Sequence, residues 1–132
     1  MEELEDRWIL GLRGIAVAAV SRGAERPELV VSLADGTEIR VLGSWLLTQG
    51  ATSAPGATPL PFEELENVVG SAVASAVLFK TGNVRVVFRT GLHLTVRPQG
   101  PGNEAHVRKA GTFEWSSRDG VCVMKVLGSS AP

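Results

Sequence analysis

The residues best placed to do chemistry in this sequence are Arg85, His93, Thr95 and Arg97, carried on two alternating segments around a turn. Val84, Val86 and Phe88 point one way, and Leu92, Leu94 and Val96 return on the same side. In an antiparallel pair Arg85 then faces Thr95 and Val87 faces His93, which gathers two guanidinium groups and an imidazole on the other side. Guanidinium forks suit a carboxylate or a phosphate. A one-residue slip would expose Phe88, Leu92 and Leu94 and bury both arginines, so the register is firmly specified. The bland expectation is a solvated face whose arginines are neutralised by Glu38, Glu63 or Glu66.

Other chemistry is thinly represented. There is no phosphate-binding glycine loop, no nucleophile elbow and no pair of histidines at metal spacing. His93 and His106 sit on different elements, and a metal needs three or four converging donors, so no metal and no cofactor are expected. Cys122 lies between Val121 and Val123 and reads as packing in a buried strand. Glu63, Glu64 and Glu66 read as an exposed helix start, and no catalytic residue emerges. An enzyme would need a site dispersed along the chain.

The elements that position these residues are mostly strands. Leu29, Val31 and Leu33 alternate into a first hairpin, Ala34-Asp35-Gly36 turns it, and Thr37, Ile39 and Val41 return. The second hairpin repeats the device 55 positions later, with Arg89-Thr90-Gly91 as its turn. Leu29 maps on Val84, Leu33 on Phe88, Gly36 on Gly91, Ile39 on Leu94 and Val41 on Val96 without a gap. A β-branched and alanine-rich run precedes each hairpin, Ile15 to Val20 after Gly14 and Ala72 to Phe79 after Gly70. The pattern is two similar three-strand meanders, an internal duplication.

Between them, residues 48–61 read as a surface loop rich in glycine and proline. A short helix near 61–69 follows, with Pro61 in its first turn, Gly70 closing it, and Phe62, Leu65 and Val69 facing the sheet. Pro98 to Asn103 forms a second loop, and Arg118-Asp119-Gly120 turns a third hairpin between Thr112–Ser116 and Val121–Val126. Leu4 to Leu12 is consistent with either a helix or an edge strand.

Size and composition frame the rest. The 132 residues, 44% hydrophobic and 20% charged, fit one globular domain spanning 1–132. Net charge is −1, which gives no reason to expect nucleic acid. Residues 1–79 hold eleven acids against five arginines, whereas residues 80–109 hold six basic groups against Glu104. Interleaving of the two signs in the fold is the expected outcome. The start of the chain is acidic and no apolar run approaches ~20 residues, so a cytoplasmic protein without a membrane span is expected.

Asp6-Arg7-Trp8-Ile9-Leu10, Leu46-Leu47-Thr48 and Gly91-Leu92-His93-Leu94-Thr95-Val96 resemble a family of small bacterial proteins of unknown function from high-GC genomes. Ten arginines against three lysines agree with such a genome. Members often carry a Glu-Ala-Trp segment, for which Glu104-Ala105-His106 and Phe113-Glu114-Trp115 are alternative matches, and a closing Pro-Gly-Gly turn that is missing here. The resemblance implies the fold and no activity. The expected architecture is mainly β (a β-rich α+β chain), its sheet curled into a roll or open barrel. The expected function is an interaction module with a protein partner, of inhibitor or immunity type; the alternative is a small-molecule-binding β-barrel. A flat apolar patch rimmed by arginine would favour the first, and a large apolar cavity the second.

Overall fold

The alternating segments assemble into two antiparallel six-stranded sheets. The computed structural model describes residues 1–23, 27–51 and 58–127. The first sheet has the order β1 (Glu2–Glu3), β2 (Arg7–Ile9), β7 (Val73–Phe79), β8 (Val84–Phe88), β9 (Leu92–Val96), β6 (Leu46–Gln49). The second has the order β12 (Val121–Val126), β11 (Phe113–Arg118), β10 (Glu104–Lys109), β5 (Thr37–Leu42), β4 (Glu28–Leu33), β3 (Val17–Arg22). The fold is mainly β and is not a closed barrel. No described helix is long and apolar enough to cross a membrane.

The inner faces form one continuous core. Leu29, Val31, Ile39, Val41, Val107 and Trp115 come from the second sheet, and Val84, Val86, Phe88, Leu94, Leu47 and Leu78 from the first. Each is almost fully buried, as the period-two pattern requires. Burying a side chain of this size contributes about 1.5–3 kcal/mol, so a single register slip would forfeit the whole layer. The paired hairpins lie where the alternation puts them, with Ile39 and Leu94 both facing the core.

Several expectations need correction. The helix α1 is only Phe62–Glu66, with Pro61 as its N-cap and not within its first turn. The chain continues in tight turns, Val68 N–H donating to the Leu65 carbonyl at 3.1 Å and Ser71 N–H to that of Val68 at 2.8 Å. A step of three residues per turn carries Val68 inward after Leu65 and leaves Val69 46% exposed, the reverse of the helical expectation. Thr48 and Gln49, expected in the loop, pair with His93 and Leu92 as part of β6, and residues 52–57 of the expected loop lie outside the described residues. Leu4 to Leu12 contains strand β2, paired with β7. Glu104–Lys109, unassigned from the sequence, is β10 and docks on β5. Cys122 is half-buried because β12 is an edge strand, its Sγ 3.5 Å from the Lys80 carbonyl.

Strands of the two sheets join at a corner. The chain from Arg7 follows β7 and then leaves it to become β3 of the other sheet, a strand that switches layers. The corner is held by reciprocal main-chain bonds. Gly14 N–H donates to the Val73 carbonyl and Gly70 N–H to that of Val17, both at 2.8 Å. Val17 N–H donates to Ser71 and Val73 N–H to Ile15, with Ala16 and Ala72 bridged between them. Bulges lie at matching places, between Val17 and Ala19 and between Val73 and Ser75. Ala34 N–H to Ala16 and Arg89 N–H to Ala72 complete the correspondence.

Both corner glycines adopt positive φ, +86° at Gly14 and +88° at Gly70, and no atom lies within 4 Å of where a Cβ on Gly70 would sit. Substitution there tests backbone strain without a clash. Gly70→Ala should therefore cost about 1–2 kcal/mol in urea unfolding, and Gly14→Ala a similar amount, whereas a loss within error would mean the corner relaxes freely.

Candidate functional site

Arg85, His93, Thr95 and Arg97 all project from the outer face of the first sheet, and the pairings Arg85–Thr95 and Val87–His93 are those the alternation requires. Because β7, β2 and β6 flank this hairpin, the face is wider than the sequence revealed. One row crosses five strands as Ile9, Val77, Arg85, Thr95 and Leu46. The next runs Ser75, Val87, His93 and Thr48. Thr95 is only 9% exposed, since Leu46 on β6 covers the side that an unpaired hairpin would leave open. Thr48 donates its hydroxyl to the Gly50 carbonyl at 2.7 Å and is spent on local structure.

Phe79 is the member that sequence reasoning missed. The guanidinium carbons of Arg7 and Arg85 lie 4.9 and 5.4 Å from its ring centroid, close enough for cation–π attraction to both. The available signal was alternation in β7, since an inward Leu78 leaves Phe79 outward. Arg85 Nε is buried and makes no hydrogen bond, so the ring and not a polar group holds this side chain in place. Beside it a hollow of about 190 Å³ is lined by Phe79, Thr81, Asn83, Arg85, Thr95 and Arg97. A second hollow of about 140 Å³, lined by Ser44, Trp45, Leu46, Thr95 and Arg97, shares its wall.

The electrostatics of the two outer faces differ. On the second sheet Arg40 pairs with Glu28 at 3.4 Å and Glu38 at 3.2 Å, Arg108 with Glu38 at 3.7 Å, and Arg118 with Glu104 at 3.3 Å. Glu38 is thus engaged on the opposite sheet. Among the described residues Arg85 and Arg97 form no ion pair with Glu38, Glu63, Glu66 or any other acid, so the expected neutralisation does not occur. The interleaving of charge is half realised. Lys80, Arg108 and Lys109 find acids, while Arg85, Arg89 and Arg97 do not. The described residues contain no cluster of three or more metal-ligating side chains.

A two-sheet β protein with an unneutralised arginine face is the class this geometry defines. The chain belongs to the family of unknown function DUF6188, whose model matches residues 8–113. No curated protein and no solved structure matches it. The matched span holds Phe79, Arg85, His93, Thr95 and Arg97 but begins one residue after Arg7, and it stops at the first residue of β11.

Burial pushes the His93 imidazole below its ordinary pKa of 6.5, and the nearby Arg85 charge pushes it the same way. The unfolded chain therefore binds this proton more readily than the folded one, and stability rises with pH through the titration. The His93 contribution is fully present above about 6.5 and is lost as pH falls toward the lower folded value. Melting temperature should drop between neutral pH and pH about 5, and His93→Gln should make that drop smaller. An identical pH profile for the variant would show that His93 titrates as it does unfolded.

Proposed function

We propose that this chain is a bacterial, cytoplasmic interaction module that holds an acidic side chain of a protein partner against Arg85, His93, Thr95 and Arg97, in the manner of an inhibitor or immunity protein. The observation that carries the reading is the contrast between the outer faces. Arginines on the second sheet are paired, whereas Arg85 and Arg97 stand without acids beside half-buried Ile9, Val87 and Leu46. An apolar surface rimmed by arginine matches the composition of protein interfaces. The adjoining hollows of about 190 and 140 Å³ are each smaller than the ~300–1,000 Å³ of a small-molecule site, which favours a side chain as occupant. The space between the sheets is filled by side chains, which gives a ligand-holding barrel interior no support. A hollow of about 590 Å³, large enough for a small molecule, lies instead on the outer face of the second sheet beside Arg40, His106, Arg108 and Glu114, where the arginines are already paired with acids. The reading requires neither nucleic acid nor a membrane. The matched corner bonds and bulges also support an origin of the two meanders by internal duplication.

The probe is an N-acetylated hexaglutamate peptide titrated into isotope-labelled protein. Resonances of Arg85 Nε–Hε and the Thr95 and Arg97 amides should shift, and raised salt should suppress the effect. Arg85→Ser with Arg97→Ser should weaken binding at least tenfold, about 1.4 kcal/mol, at unchanged melting temperature. Binding within twofold of wild type, or shifts confined to the second sheet, would defeat the proposal.

A further inference from the structure

The free edge of the second sheet, remote from the arginine face in strand order, has the features of a self-pairing strand. No strand lies beyond β12 among the described residues. Of the six large hydrophobic residues exposed among all the described residues, three belong to this strand: Val121 at 69%, Val123 at 60% and Val126 at 62%. Natural edges are guarded by brevity, proline or charge. β12 has six residues, no proline and Lys125 as its one charge. β3, the opposite edge of this sheet, is equally long but carries no exposed large hydrophobic residue and has its start bonded to Ser71 and Gly70. Both edges of the first sheet are better protected. β1 has two residues, and the outer side of β6 receives the Leu60 N–H on the Leu47 carbonyl at 2.8 Å.

Which main-chain groups are free follows from the turn. Asp119 and Gly120 have φ of 51° and 81°, the two left-handed positions of a two-residue loop, so Arg118 and Val121 close the hairpin as a hydrogen-bonded pair. At the far end Leu127 N–H donates to the Thr112 carbonyl at 2.8 Å. Val121, Val123 and Lys125 therefore direct their main-chain groups to β11, and alternation turns those of Cys122, Met124 and Val126 to the open edge.

We infer that β12 pairs antiparallel with β12 of a second copy of this chain, about a two-fold axis at Met124. Only this register uses both main-chain groups of all three edge-facing residues. Met124 opposes its counterpart, and Cys122 opposes Val126 of the second copy. On the outer face Val123 opposes Lys125 of the second copy, whose own cross-strand neighbour Glu114 supplies the counter-charge. Shifting toward the C-terminus would set Lys125 against Lys125, and shifting the other way leaves Val126 unpaired. The contact is isologous, each copy giving and receiving the same pairs. One strand pair buries less than a standard interface of ~1,600 Å², so the dimer is reversible and forms with rising concentration.

Sedimentation velocity of the full chain from about 1 μM to about 1 mM should show the mass rising toward twice that of the monomer. Amide exchange should slow with concentration at Cys122, Met124 and Val126 and stay constant at Val121 and Val123. Met124→Pro removes the central N–H, a change tolerated on an edge, and should remain monomeric. Met124 also packs against the core, so its melting temperature should fall, and the variants at the exposed Val123 separate lost association from lost stability. Val123→Lys places like charges across the seam and should weaken association at least fivefold, whereas Val123→Glu should preserve it. Val123 is mainly exposed, so neither variant depends on core packing. A monomer at every concentration would overturn the inference. So would a dimer that survives Met124→Pro, or one indifferent to the sign of charge at 123.

Discussion

Two short stretches, 14–17 and 70–73, exchange main-chain hydrogen bonds in matched pairs, and the arrangement of both sheets follows from that exchange. Each stretch opens a meander. Bonding the two together sets the sheets at one angle and brings their apolar faces over a common core. Ala16 and Ala72 bridge the corner. The bulge one step beyond, at Val17–Ala19 and at Val73–Ser75, bends each strand away from the other. The core is thus a consequence of a local backbone arrangement and of alternation in the strands that leave it.

The outer faces show what happens to charge once that geometry is set. β10 lies beside β5, which puts Arg108 across from Glu38 and His106 across from Arg40, and β11 adds Arg118 opposite Glu104. These are exposed or half-exposed pairs, each worth only ~0–1 kcal/mol, and their main effect is to leave that face electrically balanced. The first sheet receives β6 and β2 as neighbours instead, which bring Leu46, Thr48, Arg7 and Ile9. They contribute no acid near Arg85. Asp6, the nearest acid in the sequence to Arg7, is bonded to Arg7 itself at 2.9 Å. The positive face therefore arises from the choice of strand neighbours more than from an excess of arginine.

Much of the fold could be read from residue order because strand alternation and turn chemistry are local. Val84 to Val96 dictated its own register, since any slip would bury Arg85 and expose Phe88, and Asp119-Gly120 marked a tight hairpin through its tolerance of left-handed backbone. Arg85, His93, Thr95 and Arg97 were recognisable as one face for the same reason. Phe79 could have been added by extending the alternation of β7 by one residue.

Other features depended on distant partners. Alternation within Glu104–Lys109 is masked by Ala105 and by charged residues, and only the docking of that segment against β5 makes it a strand. Val68 replaced Val69 in the core because the chain tightened after α1 to reach the corner, which no helical period anticipates. The acids expected near Arg85 lie on the opposite sheet or the helix, and their distance from it is set by the packing of elements far apart in sequence. The sequence by itself determined which residues share a face, since that depends on backbone geometry over a few residues. Only the tertiary structure decided which faces and strands became neighbours, and hence which charges were neutralised, because those choices rest on burial summed over the whole core.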